Sequence, residues 1–208
     1  MPRQKPGFFF WQEEIPIHND IIDYFDKNMS KKYIFPEKSN TDYKALVSQY
    51  YIGTNITVLE RTHLLKELSK IYDVDLYTYS DTSELPDIHV HNGANTITEM
   101  PVIFNKSQIN LNLTSRPIRN GVPLRVWDIL GCAGFMLTNY QNDLFMHLTP
   151  GEHLDVYSSD EEFFDKISYY LSHPSLCREI AQNGYEFVKA NHNYTIRCNE
   201  LISIAFSI

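Results

Sequence analysis

The sequence predicts an α/β fold, a parallel β-sheet with helices on both faces, and three observations carry that prediction. From Glu60 onward, short β-rich segments alternate with amphipathic helical ones, the rhythm of βαβ units with helices of about 10–15 residues. QINLNLT (108–114) alternates tightly, as a buried strand does, and GFMLTN (134–139) is a mostly apolar run that reads as another. Hydrophobic residues make up 43% of the 208, enough for a real core.

Taken in order, residues 1–52 stand apart: rich in aromatics and lysine, they read as a helical lead-in, with FFFW at 8–11, helices at 18–27 and 41–51 and a loop at 38–40. The main domain then spans 53–208. Its first helix, 60–72, places Leu64, Leu65, Leu68 and Ile71 on one face. Strands follow at 74–80 and 88–91, the second ending at Asn92-Gly93. Thr98 is placed to cap the next helix, which tolerates Pro101 because it falls in the first turn. The 108–114 strand leads to a central helix at 122–132, closed by Gly131 and Gly134, and then to strands at 134–139 and 154–158. DEEFFDKISYYLS (160–172) carries acids in its first turn, where the helix dipole favours them. Pro174 opens a further helix to about His192, and a last helix runs from Tyr194.

The composition excludes several functions. A net charge of −8 argues against nucleic acid or an anionic membrane as partner, since neutralising phosphates needs a basic face. No apolar run approaches the ~20 residues of a membrane span, and the start lacks the apolar core of a secretory signal. Cys132, Cys177 and Cys198 are far apart, without CxxC spacing, and read as reduced thiols of a cytoplasmic protein. The Asn-x-Ser/Thr triplets at Asn55 and Asn112 then carry no meaning.

The chemistry gathers in SRPIRNGVPLRVWDILGCAGFMLTNYQ (115–141). Arg116, Arg119 and Arg125 stand around the start of the central helix, beside Gly121 and Pro123. Cations are misplaced at a helix end that is already positive, unless an anion such as phosphate lies between them. The alternative is that they face water or pair with distant carboxylates. Ligands of parallel sheets bind at the carboxyl ends of the strands, where the loops after Leu113 and Thr138 open, and this favours the phosphate. Asp128, three residues after Arg125, is either its intrahelical ion partner or a carboxylate that accepts from a diol such as ribose. GxGxxG, GxxxxGK[ST] and GxSxG are all absent. His89 and His91 share a strand face but have no third ligand at metal spacing, so no metal is assigned.

TEMPVIFNKSQINLNLT, RPIRNGVPLRVWDILGCAGFMLTNYQNDL and EEFFDKISYYLSHPSLCREIAQNGYEFVKANHNYTIRC together resemble the C-terminal domain of family 1-type glycosyltransferases, nearest to the subgroup similar to spore maturation proteins, over about residues 55–200. The resemblance implies a Rossmann-like domain, the nucleotide-sugar-binding half of a GT-B enzyme, and hexose transfer from a nucleoside diphosphate sugar, of the UDP type, to the hydroxyl of a glycan or protein acceptor. Related retaining enzymes carry two glutamates eight positions apart. Their places fall on Asn120, which departs from the pattern at the sugar contact, and on Asp128, which keeps the ribose-binding carboxylate. By the same resemblance Asn92 and Gly93 approach the base. Arg116, Arg119 and Arg125 stabilise the diphosphate leaving group without a metal, with Asn120 and Gly121 at the turn and Thr138, Asn139, Tyr140 and Gln141 along the sugar. The family's N-terminal acceptor domain is not found in the sequence, so the chain reads as a fragment or a stand-alone donor half that binds donor and transfers little. A nucleotide-binding module without catalysis and a flavodoxin-like interaction domain are the competing functions.

Overall fold

A computed structural model describes residues 52–118 and 120–206. Expectations for the lead-in helices at 18–27 and 41–51, for FFFW and for Arg119 lie outside the described residues. The chain divides into two compact units, one of residues 1–63 with 115–119 and the other of residues 64–114 with 120–208.

In the first unit, helix α1 (Gly53–Ser69) starts well before the predicted Glu60. Its opening turns are rich in β-branched residues, which disfavour helix, yet Thr57 is buried and bonds back to the Gly53 carbonyl at 2.8 Å. The same Thr57 oxygen accepts the Arg116 amide at 2.9 Å. Local propensity is overridden here by a tertiary contact.

The second unit begins with the remainder of α1. Leu64 and Leu68 are buried as the periodicity predicts, but Ile71 is 64% exposed. The helix ends at Ser69, and the Ile71 and Tyr72 amides close the last turn on the Leu68 carbonyl. Next come β1 (Asp75–Tyr77), β2 (His89–His91), α2 (Met100–Lys106), β3 (Asn110–Asn112), α3 (Leu124–Gly131), β4 (Met136–Asn139), a 3-10 turn (Asn142–Met146), β5 (Asp155–Tyr157), α4 (Asp160–Ser172), α5 (Pro174–Asn191) and α6 (Tyr194–Phe206). All described strand pairs are parallel: β1 with β2, and β3, β4 and β5 in that order, Leu137 lying opposite both Leu111 and Asp155.

Strand β4 shows why both faces carry helices. Successive side chains alternate across a sheet. Met136 packs with Val126, Ile129 and Leu130 of α3 and Val188 of α5, whereas Leu137 packs with Leu64 and Leu68 of α1 and Phe163 and Ile167 of α4. Each fully buried side chain of this size contributes about 1.5–3 kcal/mol. One further correction concerns α2. Thr98 does not cap it; Asn95 Oδ1 accepts the Ile97 and Thr98 amides at 2.9 and 3.0 Å, and Glu99 Oε2 accepts the Asn95 amide at 2.7 Å. Pro101 does fall in the first turn.

Between α3 and β4 the chain reverses tightly. Ala133 takes the left-handed conformation (φ 52°) that glycine usually occupies. Gly134 is required by contact, because a Cβ there would lie 2.8 Å from the Phe104 carbonyl oxygen and from Asn110 Nδ2. Gly184 in α5 is confined in the same way, since a Cβ there would lie 2.5 Å from the His153 carbonyl oxygen.

Candidate functional site

The carboxyl ends of β3 and β4 are polar and closed. Asn112 donates from Nδ2 to both Thr114 Oγ1 and Thr138 Oγ1 at 3.0 Å, and Thr138 returns its hydroxyl to the Asn112 carbonyl at 2.8 Å. Asn139 accepts the Thr114 amide at 2.8 Å and donates to the Thr114 carbonyl at 3.3 Å. Thr138 is 0% exposed. Two residues predicted along a sugar thus spend their hydrogen bonds on holding the strand ends. Tyr140, half-exposed, bonds through its hydroxyl to Asn142 Oδ1 at 2.8 Å and stands 5.0 Å from the Phe145 ring. Gln141 keeps a buried Oε1 without a partner among the described residues.

The turn into α3 is set by Gly121 (φ 83°), whose amide donates to Asp143 Oδ2 at 2.5 Å. A left-handed residue there explains the glycine, and Asp143, 22 residues on and in no local motif with it, holds the turn. Asn120 is exposed beside it. Among the described residues no side chain caps α3, so its first-turn N–H groups keep the partial positive charge of a helix start. Arg125 does not pair with Asp128 among the described residues; its Nη1 points to Met100 Sδ at 3.6 Å and its guanidinium lies over the Phe104 ring at 5.5 Å. Asp128 is exposed and accepts no hydrogen bond among the described residues. Its charge is felt by Cys132 one turn on, whose thiol is pushed up first by burial and then by Asp128.

Arg125 therefore leans on α2, and the segment leading into α2 lines a cleft of about 500 Å³. Its walls include Tyr77, His91, Asn92, Gly93, Thr98 and Glu99. Tyr77 and His91 stack at 4.5 Å and 16°, and Asp75 holds His91 Nε2 at 2.6 Å. Asn92 and Gly93, expected near a base, lie in this cleft at the end of β2. The structure thus links Asn92 and Gly93 of the cleft to Arg125 by way of α2, while Asp128 lies exposed on α3 with no contact to that run among the described residues.

Arg116 belongs to the first unit. Its Nε and Nη2 make a two-pronged bond to Glu60 at 2.8 and 2.7 Å. The partner lies 56 residues earlier, beyond the reach of any local motif.

On the far side of α3, Trp127 stacks on His192 at 4.4 Å and 16°, with His147 edge-on to His192 at 5.2 Å. Arg197 donates to His192 Nδ1.

Parallel strands under helices on both faces, with a cleft at a strand's carboxyl end, make this a Rossmann-like α/β domain. Residues 61–203 match the sequence model described as glycosyl transferase-like, and the chain belongs to that family. Among solved structures it is similar to sucrose-phosphate synthase from Thermosynechococcus elongatus, at 14% identity and a TM-score of 0.56. The match covers 91% of this chain and 57% of that one, a likeness of fold to a GT-B glycosyltransferase. A search of curated proteins gave no match. Among the described residues no helix is long and apolar enough to cross a membrane.

Proposed function

We propose that the second unit binds the nucleoside diphosphate sugar of a hexosyltransferase of the spore maturation-like kind, which passes the hexose to an acceptor hydroxyl. The observation that carries this is that α2, whose first residues line the Tyr77–His91 cleft, also holds Arg125 of α3 through Met100 and Phe104. A base stacks in the cleft, the ribose diol donates to Asp128, and the diphosphate meets Arg125 and the uncapped start of α3. As the glycosidic C–O bond breaks, negative charge grows on the leaving diphosphate, and fixed positive groups stabilise it more than they stabilise the bound donor. Arg116 is left with Glu60, and the acceptor is assigned to a further domain of the GT-B kind.

Thermal shift and calorimetric titration against nucleoside diphosphates and the matching nucleosides test the proposal. A diphosphate should bind about tenfold or more tighter than its nucleoside, with affinity falling as salt rises. Equal binding of the two would remove the phosphate contacts, and no binding of either would leave an interaction domain.

A further inference from the structure

The cleft also has a chemistry of its own, which bears on the donor and so rests on the donor-binding role of the second unit. Its platform is the outer face of the Tyr77–His91 stack, two rings lying one over the other, with His91 held by Asp75. Such a platform takes any base, since every base has a π-face. Discrimination has to come from hydrogen bonds at the base edge. The carboxylate that lines the cleft is Glu99. Its Oε2 is fixed by the Asn95 amide at 2.7 Å, and Oε1 has no partner among the described residues. An ionised carboxylate accepts and cannot donate.

The bases differ in what they offer such a group. Guanine presents two donors side by side, N1–H and N2–H. Uracil presents one, N3–H, flanked by two carbonyl oxygens that a carboxylate repels. Adenine and cytosine each set an amino group beside a bare ring nitrogen, which is again repelled. We infer that the cleft takes guanine, stacked on the outer face of the Tyr77–His91 pair with Glu99 accepting from N1–H and N2–H, and that the donor is a guanosine diphosphate sugar instead of the UDP type expected from sequence. Glu99 is the residue that selects it.

The test is calorimetric titration of the whole chain with GDP, UDP, ADP and CDP, repeated on Glu99→Gln. Glutamine keeps a carbonyl for the Asn95 amide, so melting should hold, while GDP affinity should fall about tenfold, the scale of a lost charged hydrogen bond. The parent should prefer GDP by about the same factor, because a site built for paired donors rejects bases that lack them. UDP binding as tightly as GDP would overturn the inference and leave donor binding standing. Unchanged GDP affinity in Glu99→Gln would remove Glu99 from the selection. Failure of every diphosphate to bind would take both this inference and the donor role with it.

Discussion

The ends of β3 and β4 and the cleft beside α2 are both polar, and they differ in how their hydrogen bonds are used. At the strand ends Asn112, Thr114, Thr138 and Asn139 satisfy one another. Around the cleft and α3, Glu99 Oε1 and the Asp128 carboxylate have no partner among the described residues. Closed polar groups in a buried place fix the backbone, whereas open ones at a surface are free to meet a ligand. The contrast separates the two regions more sharply than Asn and Thr content does, since Asn and Thr side chains occur in both.

Three substitutions or conditions bear on that contrast, the largest effect first. Asn112→Ala removes the donor shared by Thr114 and Thr138 and opens a gap where both are buried. It should cost about 2–4 kcal/mol in urea unfolding, the sum of lost buried hydrogen bonds and a small cavity, with ligand affinity of the folded fraction unchanged. A neutral result would mean that the strand ends are not scaffold. Asp128→Asn should do the opposite: weaken nucleoside diphosphate binding by ~1–2 kcal/mol and leave melting alone. Equal affinity in mutant and parent would remove Asp128 from the site. The smallest effect concerns pH. Burial first, then the charges of Arg197 and His147, hold His192 below its ordinary pKa, with Glu200 opposing. The unfolded chain therefore binds this proton more readily than the folded one. Stability from the Trp127–His192 stack is complete above the ordinary value near 6.5 and is lost as pH falls through the lower folded value. The drop in melting temperature between pH 7.5 and 5.5 should shrink in His192→Gln.

Much of the scaffold was legible because periodicity is local. The helices and strands from Glu60 onward, the parallel order and the two covered faces all follow from residues close in sequence. Ile71 failed because the helix stops at Ser69, and Thr98 failed because Asn95 and Glu99 close the turn between them. The site was legible only in part. Asn92 and Gly93 line a cleft and Asp128 is exposed, but Arg116 and Arg125, read as parts of one cluster, are not alike, since Arg116 is bound by Glu60 and Arg125 lies on Met100 and Phe104. Thr138 and Asn139 were assigned to a sugar because the Asn112–Thr138 register, which closes their bonds, is a cross-strand fact that no local window contains. A buried strand carrying two asparagines, NLN at 110–112, was the available sign that polar partners had to lie on the strand beside it.

Gly134 and Gly184 have a consequence for descent. Each lies against a main-chain carbonyl, of Phe104 and of His153, so neither collision can be relieved by trimming a neighbouring side chain. Substitution elsewhere in the core can be answered by a second change nearby, but here no compensating change in side chain exists. Gly134 and Gly184 are therefore expected to tolerate less change in descent than side chains whose neighbours can be trimmed.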